Sequence, residues 1–393
     1  MATPPVNTAA AVANAVAKTA TAFTTGTASF TPRATFDVSS SVTRSYFLGH
    51  HNAALAKMRQ TLPNVGLIIE CRDFRIPLTS WNPLLERTIA ERPRIIVYTH
   101  RDLGPPRSET TRIMTTLRDF HCPPSPSTVA NNNIKAVLFI SKDPQTHTSV
   151  LSTLKTIARS HDQLTGLRAL VVGMPNVGKS TLLNRLRACG MSLPKAAKTG
   201  SEPGVTRKFS TPVRIAPGES TQLPGSEGLG EGVFIADTPG VFIPYVSKPE
   251  DMLKLALVGC VKDGLVPAMT IADYLLFRLN LEDPGLYKDK FCLGQATNDV
   301  HEFLMGVGLK TGRLVKGGNV SLEAAAEYVV HEWRKGGLGR FLLDEVSEEA
   351  LKGAVRAAEE PALSMNQARK KEKSARKVKN EMKRLGISPS GET

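Results

Sequence analysis

Apolar residues in this chain gather in short runs, and the runs end in polar or glycine-rich loops. Val65-Gly66-Leu67-Ile68-Ile69-Glu70 is the first, followed by Cys71-Arg72-Asp73-Phe74-Arg75, which reads as a polar turn. Pro93 to Tyr98 is the second and leads into Thr99-His100-Arg101-Asp102-Leu103. Residues 136–140, 167–173 and 232–236 make three more, running into Ser141-Lys142, a glycine-rich loop and Asp237. Runs of this length, separated by helix-sized segments, predict an α/β domain with a buried, mostly parallel sheet. Ligands of such sheets collect at the carboxyl ends of the strands. The pattern changes after about Gly264. Residues 271–277 and 321–333 carry helical spacing, and Leu322, Ala325, Val329 and Trp333 share a face. Gly336-Gly337 can stop that helix. A smaller helical domain therefore follows the sheet, and Trp333 reads as a core anchor. The stretch from Ala216 to Gly230, rich in Gly, Pro and Ser, reads as a surface loop.

The ends of the chain differ from the middle. The first 40 residues are rich in Ala, Thr and Ser, with no acidic residue before Asp37 and a weakly amphipathic stretch from Val6 to Phe23. That makeup fits an organellar import segment, or else a disordered tail. Residues 369–379 have almost no apolar content and read as a basic arm suited to a polyanion, or else as a solubilising tail. The divisions expected are 1–40 for the tail, 41–262 for the α/β domain, 263–360 for the helical domain and 361–393 for the arm. The formal charge of +14 over 393 residues favours an anionic partner, nucleic acid before an anionic membrane surface. Apolar content of 41% supports a core. The five cysteines are scattered without a C-x-x-C pair, so neither a disulfide scaffold nor a structural zinc site is expected. No apolar run reaches the roughly 18 residues that cross a bilayer, so the chain reads as soluble or peripheral.

The most specific chemistry lies at mid-chain. Gly173-Met174-Pro175-Asn176-Val177-Gly178-Lys179-Ser180 fits G-x-x-x-x-G-K-S, after a strand and before the helical Thr181-Leu182-Leu183. The glycines allow tight turns whose amides cradle phosphate oxygens, with Val177, Gly178 and Thr181 among the lining positions. Lys179 is expected to reach the β- and γ-phosphates and the Ser180 hydroxyl to ligate Mg²⁺. Asp237-Thr238-Pro239-Gly240 ends a strand, so Asp237 can hold Mg²⁺ through water and the Gly240 amide can meet the γ-phosphate. Thr206 lies between these motifs and supplies a second hydroxyl on the metal side. Asp102 is the base reader: a carboxylate there accepts from guanine N1–H and the 2-amino group, whereas adenine would leave it unpaired. Ser141-Lys142 supplies a second loop beneath the base. GTP is therefore favoured over ATP. The base-reading elements precede the phosphate loop, so the fold class expected is a circularly permuted P-loop GTPase domain, followed by a small α-helical domain.

At this point the chain resembles the YlqF/RbgA-type circularly permuted GTPases, most closely their mitochondrial ribosome-associated group. The resemblance runs from about residue 45 to 345. It rests on Phe47-Leu48-Gly49-His50, Asp73-Phe74-Arg75-Ile76-Pro77-Leu78, Asp102, Ser141, the phosphate loop, Lys198-Thr199-Gly200, Pro203-Gly204-Val205-Thr206 and Asp237-Thr238-Pro239-Gly240. Gly259-Cys260-Val261-Lys262-Asp263 and Arg334-Lys335-Gly336-Gly337-Leu338-Gly339 extend it. It implies assembly of the large mitochondrial ribosomal subunit, with ribosomal RNA as the surface recognised. It also implies a peripheral position on the matrix side of the inner membrane. Two further readings stay open: a translation or signalling switch that meets proteins, and a membrane scaffold with a vestigial nucleotide site.

One departure is plain. Thr99-His100-Arg101-Asp102 stands where Asn-Lys-x-Asp is usual. The carboxylate is kept, but Thr99 lacks the amide that ties base loop to phosphate loop, and His100 stacks on the purine with a shorter stem. Retained guanine selectivity with weaker affinity is expected. Val241-Phe242 replaces the water-orienting glutamine, so intrinsic turnover is expected to be slow. By resemblance, Asn176 is a candidate to help hold K⁺ beside the phosphates and His50 to reach the γ-phosphate; with Lys179 they form the candidate catalytic set. Asp73 and Arg75 read as an ion pair fixing a loop, and Arg72 as a solvent-facing charge.

Overall fold

The computed structural model describes residues 30–38, 42, 49–89, 92–123, 133–161, 165–197, 199–200, 206, 209–223, 225–243, 245–359, 367, 370, 374 and 377. The import-type stretch from Val6 to Phe23 and most of the basic arm lie outside these residues. Along the chain come α1 (Gly49–Thr61), β1 (Leu67–Asp73), α2 (Pro83–Ile89), β2 (Arg94–Thr99), α3 (Arg107–His121), β3 (Ile134–Phe139) and α4 (Pro144–Ser160). Then follow β4 (Leu167–Gly173), α5 (Lys179–Met191), β5 (Val213–Ala216) and β6 (Val233–Asp237). The helical part comprises α6 (Pro249–Val258), α7 (Ala268–Glu282), α8 (Gly285–Phe291), α9 (Val300–Thr311), α10 (Leu322–Arg334) and α11 (Glu348–Glu359).

The six strands form one sheet in the order β3-β2-β1-β4-β6-β5. Every pair is parallel except β5 with β6. β5, four residues long, was not expected from the sequence. The central β1 and β2 are buried throughout and β4 nearly so, which explains their continuous apolar runs, while the edge strand β3 is only partly buried. Leu67, Ile69 and Cys71 face a core shared with α4, α5 and the helical part. Ile68 faces the other way, onto α1 and α2. Ile96 and Tyr98 of β2 face α3.

The turn read at 71–75 is not a turn at its start. Cys71, Arg72 and Asp73 continue β1, all buried. Nor is Arg72 a solvent-facing charge. It is 1% exposed, 2.7 Å from Glu70, and stacked on Trp81 at 4.6 Å. Arg94 joins the network through Glu70 and Glu86. Burial of these charges is tolerable because they are paired, and removing one partner would leave an uncompensated ion.

Side-chain caps open two helices of the helical part. Ser321 accepts from the Ala324 amide at the start of α10, and Asp299 from the His301 amide at the start of α9. Ala325, Val329 and Trp333 are buried on the expected face, with Leu322 half-buried beside them. Gly336, at φ +86°, follows the end of α10 in the left-handed conformation. Hydrogen bonds tie the segment after α10 to the loop after β1: the Asp344 carboxylate accepts from the Leu78 and Thr79 amides, and the Leu343 amide donates to the Arg75 carbonyl. Residues 30–38 also dock here. Arg33 pairs with Asp273, and Phe36 packs against Tyr274 and Phe277.

Candidate nucleotide site

The carboxyl ends of β1, β2, β4 and β6 converge on one cleft. Gly173 ends β4 at φ +144°, and a Cβ there would lie 2.4 Å from the Cys71 carbonyl oxygen. Gly178, at φ +84°, begins α5. Only glycine meets both demands without strain. The loop amides between them lead into the α5 N-terminus, a site for anions. Lys179 is buried and folded over its own loop, 2.6 Å from the Met174 carbonyl and 3.3 Å from that of Gly173. Burial lowers its ammonium pKa, and Asp237 partly offsets this.

Three oxygens predicted for the metal side meet. Ser180 Oγ hydrogen-bonds Asp237 Oδ2 and lies 3.1 Å from Thr206 Oγ1. Asp237 Oδ1 is buried with no hydrogen-bond partner among the described residues. Burial pushes the carboxyl up from its ordinary range, while Lys179 and Ser180 pull it back. An orphaned carboxylate oxygen beside two hydroxyls fits a hard cation such as Mg²⁺, which takes oxygen ligands and keeps several waters. Among the described residues no group of three or more His, Cys, Asp or Glu could hold a metal, so any cage would depend on these hydroxyls and on the nucleotide. Gly240 packs against the loop, where a Cβ would meet Pro175 Cα at 2.5 Å. The Val241 amide donates to the Gly173 carbonyl at 3.2 Å. Val241 and Phe242 are fully buried in the core, so neither reaches a water in the cleft.

On the base side, the structure corrects one expectation. Thr99 does tie the base loop to the phosphate loop: its Oγ1 lies 3.0 Å from the Val177 carbonyl. A hydroxyl here replaces the missing amide because β2 runs close enough for a short side chain to reach; a Cβ on Gly178 would sit 3.5 Å from Thr99 Cγ2. His100 follows in the left-handed conformation, φ 59°, and its Nδ1 lies 3.1 Å from Asp73 Oδ2. Asp73 and Arg75 form the expected pair, with bonds of 2.7 and 3.0 Å. Burial would raise the Asp73 carboxyl, but Arg75 and His100 together hold it well below the usual carboxylate range. Asp102 and the Ser141-Lys142 loop are neighbours: Lys142 Nζ is 3.8 Å from Asp102 Oδ2, and the Arg101 amide donates to the Ile140 carbonyl.

The cleft is lined by His100, Asn176, Lys179, Ser180, Thr206 and Gly240, with Thr181 at its edge. Val177 and Thr99 are buried behind it, and Asp102, Ser141 and Lys142 are not among its lining residues. Arg75 and Arg334 also line it. Spacing in the sequence gives no sign of Arg334, which comes from α10 and donates to the Ala256 and Leu257 carbonyls at the end of α6. Asn176 donates to the carbonyl of Gly259, the residue that follows α6, at 2.9 Å. His50 lies in the first turn of α1, and its side chain is outside the described residues.

Residues 168–283 match the family model described as 50S ribosome-binding GTPase. Mitochondrial GTPase 1 of Schizosaccharomyces japonicus is 36% identical over 314 residues, covering 78% of this chain and 91% of the relative. The chain belongs to the mitochondrial GTPase 1 family. Mitochondrial ribosome-associated GTPase 1 of Bos taurus is 32% identical, covering 80% of this chain and 91% of its own length. Ribosome biogenesis GTPase A of Priestia megaterium is 29% identical, covering 78% and 98%. As a circularly permuted GTPase, the chain delivers its base-side strands β1 to β3 before the phosphate-loop strand β4. No helix among the described residues is long and apolar enough to cross a membrane.

Proposed function

We propose that this GTPase assists assembly of the large subunit of the mitochondrial ribosome, binding its RNA in the GTP state and leaving after hydrolysis. The observation that carries the reading is the meeting of Ser180, Thr206 and Asp237 beside the phosphate loop, in a chain whose relatives are named for mitochondria and for ribosomes. The charge of +14 suits an RNA surface, and neutralising phosphates makes such binding weaken steeply with salt. By the family resemblance, the protein works as a peripheral protein on the matrix side of the inner membrane.

The residues divide the work. The loop amides and Lys179 bind and orient the phosphates, and Asp102 with Ser141 and Lys142 holds the guanine. Ser180, Thr206 and Asp237 would hold Mg²⁺. When bound, Mg²⁺ would neutralise charge on the β- and γ-phosphate oxygens. Thr206 and Gly240 meet the γ-phosphate side, and its loss frees both segments to move. Since Val241 and Phe242 face the core, a partner surface must help order the attacking water, with His50 as the candidate from this chain. Asn176 would share in holding K⁺, so hydrolysis should run faster in K⁺ than in Na⁺.

The test combines sedimentation with hydrolysis. The full chain is expected to co-sediment with large mitochondrial subunits in a non-hydrolysable GTP analogue and to leave them in GDP. Those subunits are expected to stimulate hydrolysis by about tenfold or more, since they complete the water-ordering set. Association with no ribosomal species in either nucleotide would overturn the proposal.

A further inference from the structure

Consecutive carbonyls at the end of α6 are each met by a side chain that lines the nucleotide cleft. Arg334 Nη2 and Nε donate to Ala256 and Leu257 at 2.8 and 2.9 Å. Arg75 Nη2 approaches Val258 at 3.5 Å, and Asn176 Nδ2 donates to Gly259 at 2.9 Å. The carbonyl end of a helix carries negative potential, which repels a phosphate. α6 nevertheless presents this end to the cleft, since Val258 is one of the lining residues. The two guanidiniums reverse the sign of that wall.

They do so unequally. Arg75 is neutralised by the buried Asp73, is stacked on Trp333 at 5.3 Å, and keeps its free Nη1 buried. Arg334, the next residue after Trp333, has one carboxylate partner, Asp263, at 3.0 Å, whose side chain is 66% exposed. A carboxylate so exposed offsets little of the charge. The bonds of Arg334 use Nε and Nη2; Nη1 has no hydrogen-bond partner among the described residues and, unlike Arg75 Nη1, is open to solvent. Capping of α6 explains the two carbonyl bonds. It does not explain an uncompensated cation left facing a cleft built for anions. The guanidinium packs on Gly259, where a Cβ would lie 3.4 Å from Arg334 Cζ. Gly259 in turn holds Asn176, and Gly240 packs on the adjacent Pro175. These contacts connect Arg334 to the flank of the phosphate loop where the γ-phosphate is expected.

We propose that Arg334 is a catalytic residue, whose Nη1 donates to a phosphate oxygen on the γ side of bound GTP and neutralises the charge that develops there. In the step itself a water oxygen bonds to the γ-phosphorus as the bond from that phosphorus to the β–γ bridging oxygen breaks. GDP leaves with the electron pair, and the water's proton is released to solvent with inorganic phosphate. The two carbonyls hold the guanidinium in place before the reaction, so little reorganisation is needed. The helical part thereby supplies a cation from within the same chain. This inference rests on the proposed nucleotide reading of the cleft.

The experiment pairs single-turnover hydrolysis of GTP with Mg²⁺ by the full chain, without ribosomal subunits, with calorimetry of GDP binding. Arg334→Gln keeps an amide that can donate to an α6 carbonyl but loses the charge. Its hydrolysis rate should fall by about 100-fold, and by at least about tenfold more than its GDP affinity. Arg334→Lys keeps the charge without the fork and should lie between that variant and wild type. Asp263→Asn removes the salt bridge and leaves the cation, so its rate should equal or exceed that of wild type. Should Arg334→Gln not fold, the other two variants carry the test. A rate loss in Arg334→Gln or Arg334→Lys matched by an equal loss of GDP affinity overturns the inference, as does no rate loss. A tenfold slowing in Asp263→Asn overturns it too, because the tie between α6 and α10 would then be what hydrolysis needs. Hydrolysis by wild type and Arg334→Gln at one rate leaves the proposed function standing; no guanine nucleotide binding by wild type would sink that function and this inference together.

Discussion

Two buried aspartates end strands on opposite sides of the phosphate loop, and burial treats them differently. Asp73, at the end of β1, accepts two side-chain bonds from Arg75 and a contact from His100, and its carboxyl is held well below the usual range. Asp237, at the end of β6, has one oxygen bonded to Ser180 and the other unpartnered among the described residues; burial raises its carboxyl. The first is finished without a ligand, and the second is not. The Asp73 side is therefore a preformed part of the fold, whereas the Asp237 side leaves a buried carboxylate oxygen unsatisfied among the described residues.

The comparison breaks most severely if the finished side is opened. Asp73→Asn leaves Arg75 buried without its counter-ion and should cost about 3–5 kcal/mol in denaturant unfolding. Its stabilising effect is present above the ordinary carboxylate range and lost as pH falls through the depressed folded value. Lys179→Ala should spare the fold but cut GTP hydrolysis by roughly 100- to 1000-fold, because it removes the cation aimed at developing charge. Asp237→Asn sharpens the contrast. The folded value lies above the unfolded one, so ionisation opposes folding, and stability is lost as pH rises from the ordinary carboxylate range through that raised value. The amide should therefore stabilise the nucleotide-free protein at neutral pH by about 1 kcal/mol while slowing hydrolysis at least about tenfold. Denaturant midpoints with and without GDP would read both effects. Smallest is Thr99→Val, which keeps shape but loses the bond to Val177: about 1 kcal/mol of stability or an equivalent loss of GDP affinity.

Much of this site was legible because its chemistry depends on glycine spacing and on motif order. Gly173 and Gly240 are demanded by close backbone approaches and Gly178 by its positive φ, and such demands leave a pattern in one sequence. The sheet was legible for the same kind of reason, since two-sided burial writes continuous apolar runs. What escaped were contacts made by polar groups whose partners are distant in the chain. Arg72 looked like a surface charge because its neighbour Glu70 gives no sign that Trp81 and Glu86, further along the chain, close around the pair. Thr99 looked like a loss because a hydroxyl is short, and only the spacing between β2 and the phosphate loop shows that it is long enough. Strand β5 has four residues and is antiparallel at an edge, too short for periodicity to register. Arg334 reaches the cleft from the far end of α10, which spacing alone does not reveal.

The docked stretch at residues 30–38 also constrains how the molecule is made. Arg33 meets Asp273 across a separation of 240 residues. A polypeptide synthesised amino end first must carry Phe36 unsheltered until α7 has been made and folded. Contacts so remote in sequence close late. Loss of this stretch would leave Tyr274 and Phe277 without the aromatic cover of Phe36.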